Sequence, residues 1–368
     1  MISRTTVTRA LIAGLAVLTV GGCGTGATTA TPTPDAGAQA ISALAGATTY
    51  TLPLASDAAT SLADGLKLAV SIGGGADRDM EVDTGSRGIV VARSAIGSGA
   101  TDTGQAGSVE YTSDGLILSG EYFMAAVTFH TASSTVATIP IRVLGVESSS
   151  CDSAYPRCTP DASVKNVGML GVGYGEYAKT QLPAAEDNPF LELTAMRDGA
   201  VRRGYVITRN GVTLGATAAD LFSFHQVALR TPGSADGPAG QPGTWGPAPG
   251  CFVLPGFSTT VHCGTILMDS GIGTMIVGLA SADRPASIAS AIPDGTVIKV
   301  DVPAAASPAL GYTATIGSAA DAIAPQGNPA ARWAGSGPFV NTGRHVLAGY
   351  DYLFDASTGH IGFRADPA

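Results

Sequence analysis

An apolar strand that runs directly into Asp-Thr-Gly or Asp-Ser-Gly occurs twice in this chain, in MEVDTGSRGIVV (80–91) and in TILMDSGIGTMIV (265–277). The two acids, Asp83 and Asp269, stand 186 residues apart, close to the size of one compact lobe. Gly85 and Gly271 allow a tight turn after each acid, with no Cβ between the carboxylate and whatever approaches it. One such turn is an ordinary end to a strand. Two, each behind an apolar strand, predict a duplicated architecture in which the carboxylates meet. The hydroxyls of Thr84 and Ser270 are expected to orient the neighbouring acids by hydrogen bonding.

From Tyr50 onward the chain consists of short apolar alternations separated by Gly, Ser, Asp and Pro, for example LKLAVSIGGG, GSVEYTSDGLILSGEYFMAAVTFH, RRGYVITRNGVTLGAT and YDYLFDASTGHIGFR. Period-2 patterning at this spacing predicts an all-β fold. NPFLELTAMRDG (188–199) and ASADRPASIASAI (280–292) are the expected short helices. GSADGPAGQPGTWGPAPG (233–250) is expected to be a surface loop. The sequence divides into a leader (1–22), a Thr/Pro/Ala-rich tether (23–48), a first lobe (49–200) that holds Asp83 and a second lobe (201–368) that holds Asp269.

The leader has a basic start, the apolar run ALIAGLAVLTV and a small-residue stop before Cys23. That is the plan of a secretory signal, and the run is shorter than the ~20 residues a membrane span needs. Cys23 after two glycines resembles a bacterial lipobox and is expected to carry lipid. Val20, where Leu is usual, leaves cleavage without lipidation, and hence secretion, as the alternative. Loss of Arg4 and Arg9 with the leader takes the net charge from −9 to −11, which excludes nucleic acid as an expected partner. The remaining cysteines, Cys151, Cys158, Cys251 and Cys263, allow three pairings. Those between sequence neighbours are favoured because short loops cost little to close, and the spacings fit no zinc site.

Two carboxylates within hydrogen-bond reach cannot both ionise cheaply, so they share one proton. The ionised member can then take a proton from water while the protonated member polarises a carbonyl group. Aspartic proteases are the standing example of such a pair.

On these residues the chain resembles the pepsin-like aspartic proteases, and among them the secreted actinobacterial domains of the mycobacterial PE-PGRS proteases. LAVSIGGGADRDMEVDTGS resembles the opening hairpin and first active-site loop, implying Asp83 as one catalytic acid framed by Thr84, Gly85 and Ser86. VGMLGVGYG resembles the apolar-apolar-Gly segment behind that loop, carried by Met169, Leu170 and Gly171. ILMDSGIGT resembles the second loop, implying Asp269 with Ser270 and Gly271, and HVLAGYDYLFDASTGHIGFR resembles the closing strands. GSVEYTSDGLILSG takes the place of the flap, with Tyr111 as its tyrosine. The resemblance implies a bilobal pepsin-like fold, hydrolysis of an extended peptide in the cleft, and no metal or organic cofactor. The chain is expected to be a monomer that meets the membrane only through the lipid on Cys23.

One departure bears on activity. The position three after Asp83 is Ser86, whereas the position three after Asp269 is Ile272, which cannot donate a hydrogen bond; Thr274 is the expected substitute. Without a substitute, Asp269 is less firmly held, and a silent pepsin-fold lipoprotein that binds or inhibits becomes the rival to an enzyme. No Lys or Arg occurs between Arg9 and Lys67, so a basic inhibitory prosegment is not expected.

Overall fold

The computed structural model describes residues 48–175, 187–231, 244–257, 259–280, 288, 290–303, 308–333 and 337–366. The leader and the tether up to residue 47, Cys23 included, lie outside them, as does most of the 280–292 segment.

Alternation builds the sheets. In Lys67–Ile72, Leu68 and Val70 are buried while Lys67 and Ala69 are only half covered, and Val297–Val302 repeats the pattern with Ile298, Val300 and Val302 inward. Arg87–Ala92 is buried on both faces and lies in the middle of its sheet.

The first lobe is a nine-stranded sheet in the order Thr101–Tyr111, Leu116–Ala125, Ile141–Cys151, Arg87–Ala92, Gly168–Val172, Arg78–Asp83, Lys67–Ile72, Val127–His130, Thr135–Ala137. The second is a seven-stranded sheet in the order Leu310–Thr315, Val297–Val302, Ala248–Val253, His262–Leu267, Phe339–Asn341, Ile276–Leu279, Ala330–Trp333. A third, six-stranded antiparallel sheet joins Tyr50–Pro53, Gly211–Leu214, Gly204–Thr208, Tyr350–Asp355, His360–Ala365 and His225–Ala228, so it draws strands from both ends of the chain. The protein is bilobal and mostly β.

Edge-to-face rings tie the first lobe to the six-stranded sheet. Phe129 meets Phe190 at 5.6 Å, Phe190 meets Tyr205 at 5.3 Å and Tyr205 meets Phe354 at 5.6 Å. Each such pair adds about 1 kcal/mol beyond its burial.

Among the described residues, helix is confined to short pieces. Of 188–199 only Thr194–Arg197 is helical, because Phe190, Leu191 and Leu193 are all buried and leave no polar face for a helix to present. Two helices absent from the sequence reading carry caps: Asp57 accepts from Thr60 N at the start of Ala58–Asp64, and Thr217 with Asp220 forms a capping box on Ala218–Ser223. The expected loop at 233–250 ends early, since Ala248–Val253 is a strand. Pro249 is tolerated there because it faces a neighbour only on the Thr265 side, the partner on the other side beginning at Cys251.

Cys151 pairs with Cys158 and Cys251 with Cys263, the latter directly across two antiparallel strands. Two disulfides suit an exported protein. No described helix is long and apolar enough to cross a membrane.

Candidate active site

The two Asp-Gly turns lie against each other at the junction of the lobes. Thr84 N donates to Ser270 Oγ at 3.0 Å, and Ser270 N donates to Thr84 Oγ1 at 2.9 Å. Each hydroxyl then donates to the opposite backbone, Thr84 Oγ1 to Met268 O and Ser270 Oγ to Val82 O, both at 2.6 Å. The expected role of these hydroxyls is therefore corrected. They do not orient their own acids; they lock one loop to the other, and both side chains are fully buried.

This lock brings Asp83 and Asp269 within hydrogen-bond reach of each other, 4% and 6% exposed. Gly85 N donates to Asp83 Oδ1 at 2.7 Å, and Gly271 N donates to Asp269 Oδ1 at 2.9 Å. Ser86 Oγ hydrogen-bonds Asp83 Oδ2. Burial, and after it the Asp269 carboxylate, hold Asp83 well above the usual carboxylate range, against the pull of Ser86 and the Gly85 amide. The glycines are required by the opposing acids: a Cβ on Gly271 would lie 2.5 Å from Asp83 Cγ, and one on Gly85 would run into the Asp269 carboxylate.

Behind the first loop, Gly168–Val172 runs parallel to Arg78–Asp83 and antiparallel to Arg87–Ala92, with Gly171 opposite Asp83. A Cβ at Gly171 would meet the Arg87 backbone at 2.6–2.7 Å, so the strand can lie this close only as glycine. Phe339–Asn341 repeats the arrangement behind the second loop, parallel to His262–Leu267 and antiparallel to Ile276–Leu279.

The hydrogen bond that Ile272 cannot make is supplied from this strand. Asn341 Nδ2 donates to Asp269 Oδ2 at 2.6 Å. Thr274, the expected substitute, does not serve: its hydroxyl is buried without a hydrogen-bond partner. The sequence reading missed Asn341, 72 residues from the acid it holds, and only the parallel pairing of strands connects them.

A cleft of about 520 Å³ opens over the pair, lined on one side by Tyr111, Leu118 and Met169 and on the other by Ile272, Arg332 and Phe339. Tyr111 ends the first strand of the hairpin Thr101–Tyr111 and Leu116–Ala125, so it borders the same cleft as both acids. Burial, then the Asp83 charge, keep its phenol protonated well above its usual range.

The hairpin tip rests on the Cys151–Cys158 loop. Tyr155 Oη donates to Thr112 O at 2.7 Å, Asp152 N to Gly115 O at 2.9 Å, and the Tyr155 ring fills the space a Cβ on Gly115 would need. From the second lobe, Arg332 Nη2 donates to Thr112 O at 2.6 Å, which closes the tip over the cleft. Loss of this bond should open the tip. Arg332→Ala is expected to raise KM about fivefold, the equivalent of ~1 kcal/mol for an exposed charge-assisted bond, with kcat changed less. Steady-state kinetics and faster amide exchange over 111–115 check it.

A third carboxylate lies beside the pair. Glu81, two residues before Asp83, pairs with Arg344 at 3.3 Å, and Arg344 also donates to the final carbonyls of the Ala58–Asp64 helix, Leu62 O and Ala63 O, both at 2.9 Å. Burial outweighs Arg344 and Lys67 and lifts Glu81 to about 7 from an ordinary 4.5. A carboxyl that binds its proton more tightly folded than unfolded stabilises the fold fully below pH 4.5, and that contribution fades as the pH rises to about 7. Against Glu81→Gln, the wild type is expected to lose about 3 kcal/mol of relative stability between pH 4 and pH 8. Urea unfolding at both pH values checks this; a constant difference contradicts it.

Residues 51–214 match the family model of the PE-PGRS C-terminal aspartyl peptidase-like domain. The crystal structure of an aspartic proteinase from Irpex lacteus shares the fold, with a TM-score of 0.53 over 86% of this chain and 97% of that one. The fold is pepsin-like. At 15% identity the likeness to the Irpex protein carries the fold alone. The family match includes Asp83 and ends before Asp269 and Asn341, so the second half of the pepsin-like site is described by its geometry. No curated protein sequence matches the chain.

Proposed function

We propose that the chain is an aspartic endopeptidase. One observation carries the reading: two buried carboxylates from equivalent turns, each held by a glycine amide and an outer donor, face each other under an open cleft. A shared proton lets one acid activate a water while the other polarises the scissile carbonyl, and the water attacks without a covalent intermediate. An extended peptide suits the cleft, with the Thr101–Tyr111 hairpin as a flap and Tyr111 over the bond to be cut.

Export and tethering complete the proposal. The leader, the lipobox-like Cys23 and the two disulfides support a protein held on the outer face of the membrane by lipid, acting as a monomer on peptide or protein substrates, without nucleic acid or a cofactor. Mass spectrometry of the N-terminal peptide of exported protein tests the anchor; an unmodified Cys23, or cleavage elsewhere, contradicts it.

Peptide-library cleavage by the full chain from pH 3 to pH 8 tests the activity. A folded chain that cuts nothing would favour the silent binding protein that Ile272 brings into play.

A further inference from the structure

The registers of the two lobes identify equivalent positions. Met169 pairs with Glu81 and Val90, two before and seven after Asp83. Asn341 pairs with Leu267 and Ile276, two before and seven after Asp269. Asn341-Thr342-Gly343 is therefore the counterpart of Met169-Leu170-Gly171, and the polar and apolar partners have changed places. The first acid has a hydroxyl on its own loop and methionine behind; the second has isoleucine on its loop and an amide behind.

This exchange breaks the symmetry of the pair. A serine hydroxyl can donate or accept, so Ser86 is compatible with Asp83 Oδ2 whether or not that oxygen carries a proton. A side-chain amide nitrogen can only donate. The orientation of the Asn341 amide is fixed as well, because its Oδ1 accepts from Gly343 N at 3.0 Å; a flipped amide would set two donors against each other. Asp269 Oδ2 is thereby committed as an acceptor.

We propose that Asn341 is the positioning residue that divides the work of the pair, holding Asp269 as the proton acceptor and leaving the shared proton on Asp83. The proposal rests on the aspartic-endopeptidase reading and goes beyond it. In the first step an O–H bond of the water breaks to Asp269, the water oxygen bonds to the carbonyl carbon, and the Asp83 proton passes to the carbonyl oxygen. In the second the C–N bond breaks, nitrogen takes the proton from Asp269, and one hydroxyl of the gem-diol returns its proton to Asp83. Both acids end as they began. The charged and titratable groups around the pair are Glu81 from the strand before Asp83, with Arg344 from the turn after Asn341 paired to it, and Tyr111 from the flap.

Two measurements on the full chain decide this. Asn341→Met is expected to lower kcat about 10²-fold with little change in KM, and to move the acidic limb of kcat/KM at least one pH unit upward while the alkaline limb stays. Ile272→Ser added to Asn341→Met, which copies the first lobe, should regain at least about tenfold. Thr274→Val, which removes only an unpartnered hydroxyl, should match the wild type. Both limbs unmoved, or both moved together, would overturn the proposal.

The second measurement needs neither turnover nor a folded Asn341 variant. With carboxyl-13C aspartate in the wild-type chain, the signal missing from Asp83→Asn should keep its proton to higher pH than the signal missing from Asp269→Asn. The opposite order overturns the division of roles even if the enzyme is active. A chain that shows the expected order and cuts no peptide overturns the endopeptidase reading alone.

Discussion

Asp83→Asn and Asp269→Asn are each expected to lower kcat/KM by about 10⁴, because each acid moves a proton in every turnover and such transfers are worth up to that factor. Asparagine keeps the shape of the carboxyl group and an oxygen for the Gly85 or Gly271 amide, so the loops should stay locked through Thr84 and Ser270. Stability should move the other way for Asp83→Asn. Burial and Asp269 hold Asp83 well above the usual carboxylate range, so its ionised form weighs against the fold near neutral pH. The neutral amide does not, and the variant should unfold at pH 7 no more readily than the wild type. Inactivity with retained or raised stability is the mark of a strained functional site. Activity within about tenfold of the wild type in either variant would remove that acid from the chemistry.

Gly85→Ala and Gly271→Ala have the second-largest expected effect, and it arises from geometry rather than charge. Each new methyl group would point at the acid of the opposite loop, which cannot retreat while Gly171 and Gly343 pack their strands against the loop backbones. The loops must part, at a cost of about 1–3 kcal/mol in stability. A displacement of only 1 Å between reacting groups costs about 10²-fold in rate. Denaturation and kinetics together check the pair of effects. Alanine at either position with wild-type activity would mean that the carboxylates are not held as closely as described.

The strand-Asp-Gly repeat made much of this site legible, since a motif written twice implies a pseudo-symmetric pair before any coordinates exist. Strand positions were equally readable: Lys67–Ile72, Val297–Val302 and Tyr350–Asp355 all fall where alternation or dense apolar runs predict them. What alternation cannot report is which distant strands become neighbours. Asn341 acts on Asp269 only because Phe339–Asn341 lies parallel to His262–Leu267, and Arg332 reaches the flap carbonyls from 220 residues away.

Local signals misled in two places. Thr84 and Ser270 adjoin the acids in sequence, yet their hydroxyls point across the junction to the opposite loop. Thr274 lies close in sequence to the vacant donor position, yet its hydroxyl finds no partner while an amide from another strand takes the role. The helix Ala218–Ser223 went unread because six residues leave too little periodicity to register.

The most direct test of the central claim is cleavage of a peptide library by the full chain from pH 3 to pH 8, with and without a statine-type inhibitor, run in H₂¹⁸O. Cleavage that the inhibitor stops, that both asparagine variants lack, and that places one ¹⁸O in each new carboxylate is the predicted result. Folded protein that cuts nothing at any pH, or cleavage that persists when both acids are replaced, would contradict the account.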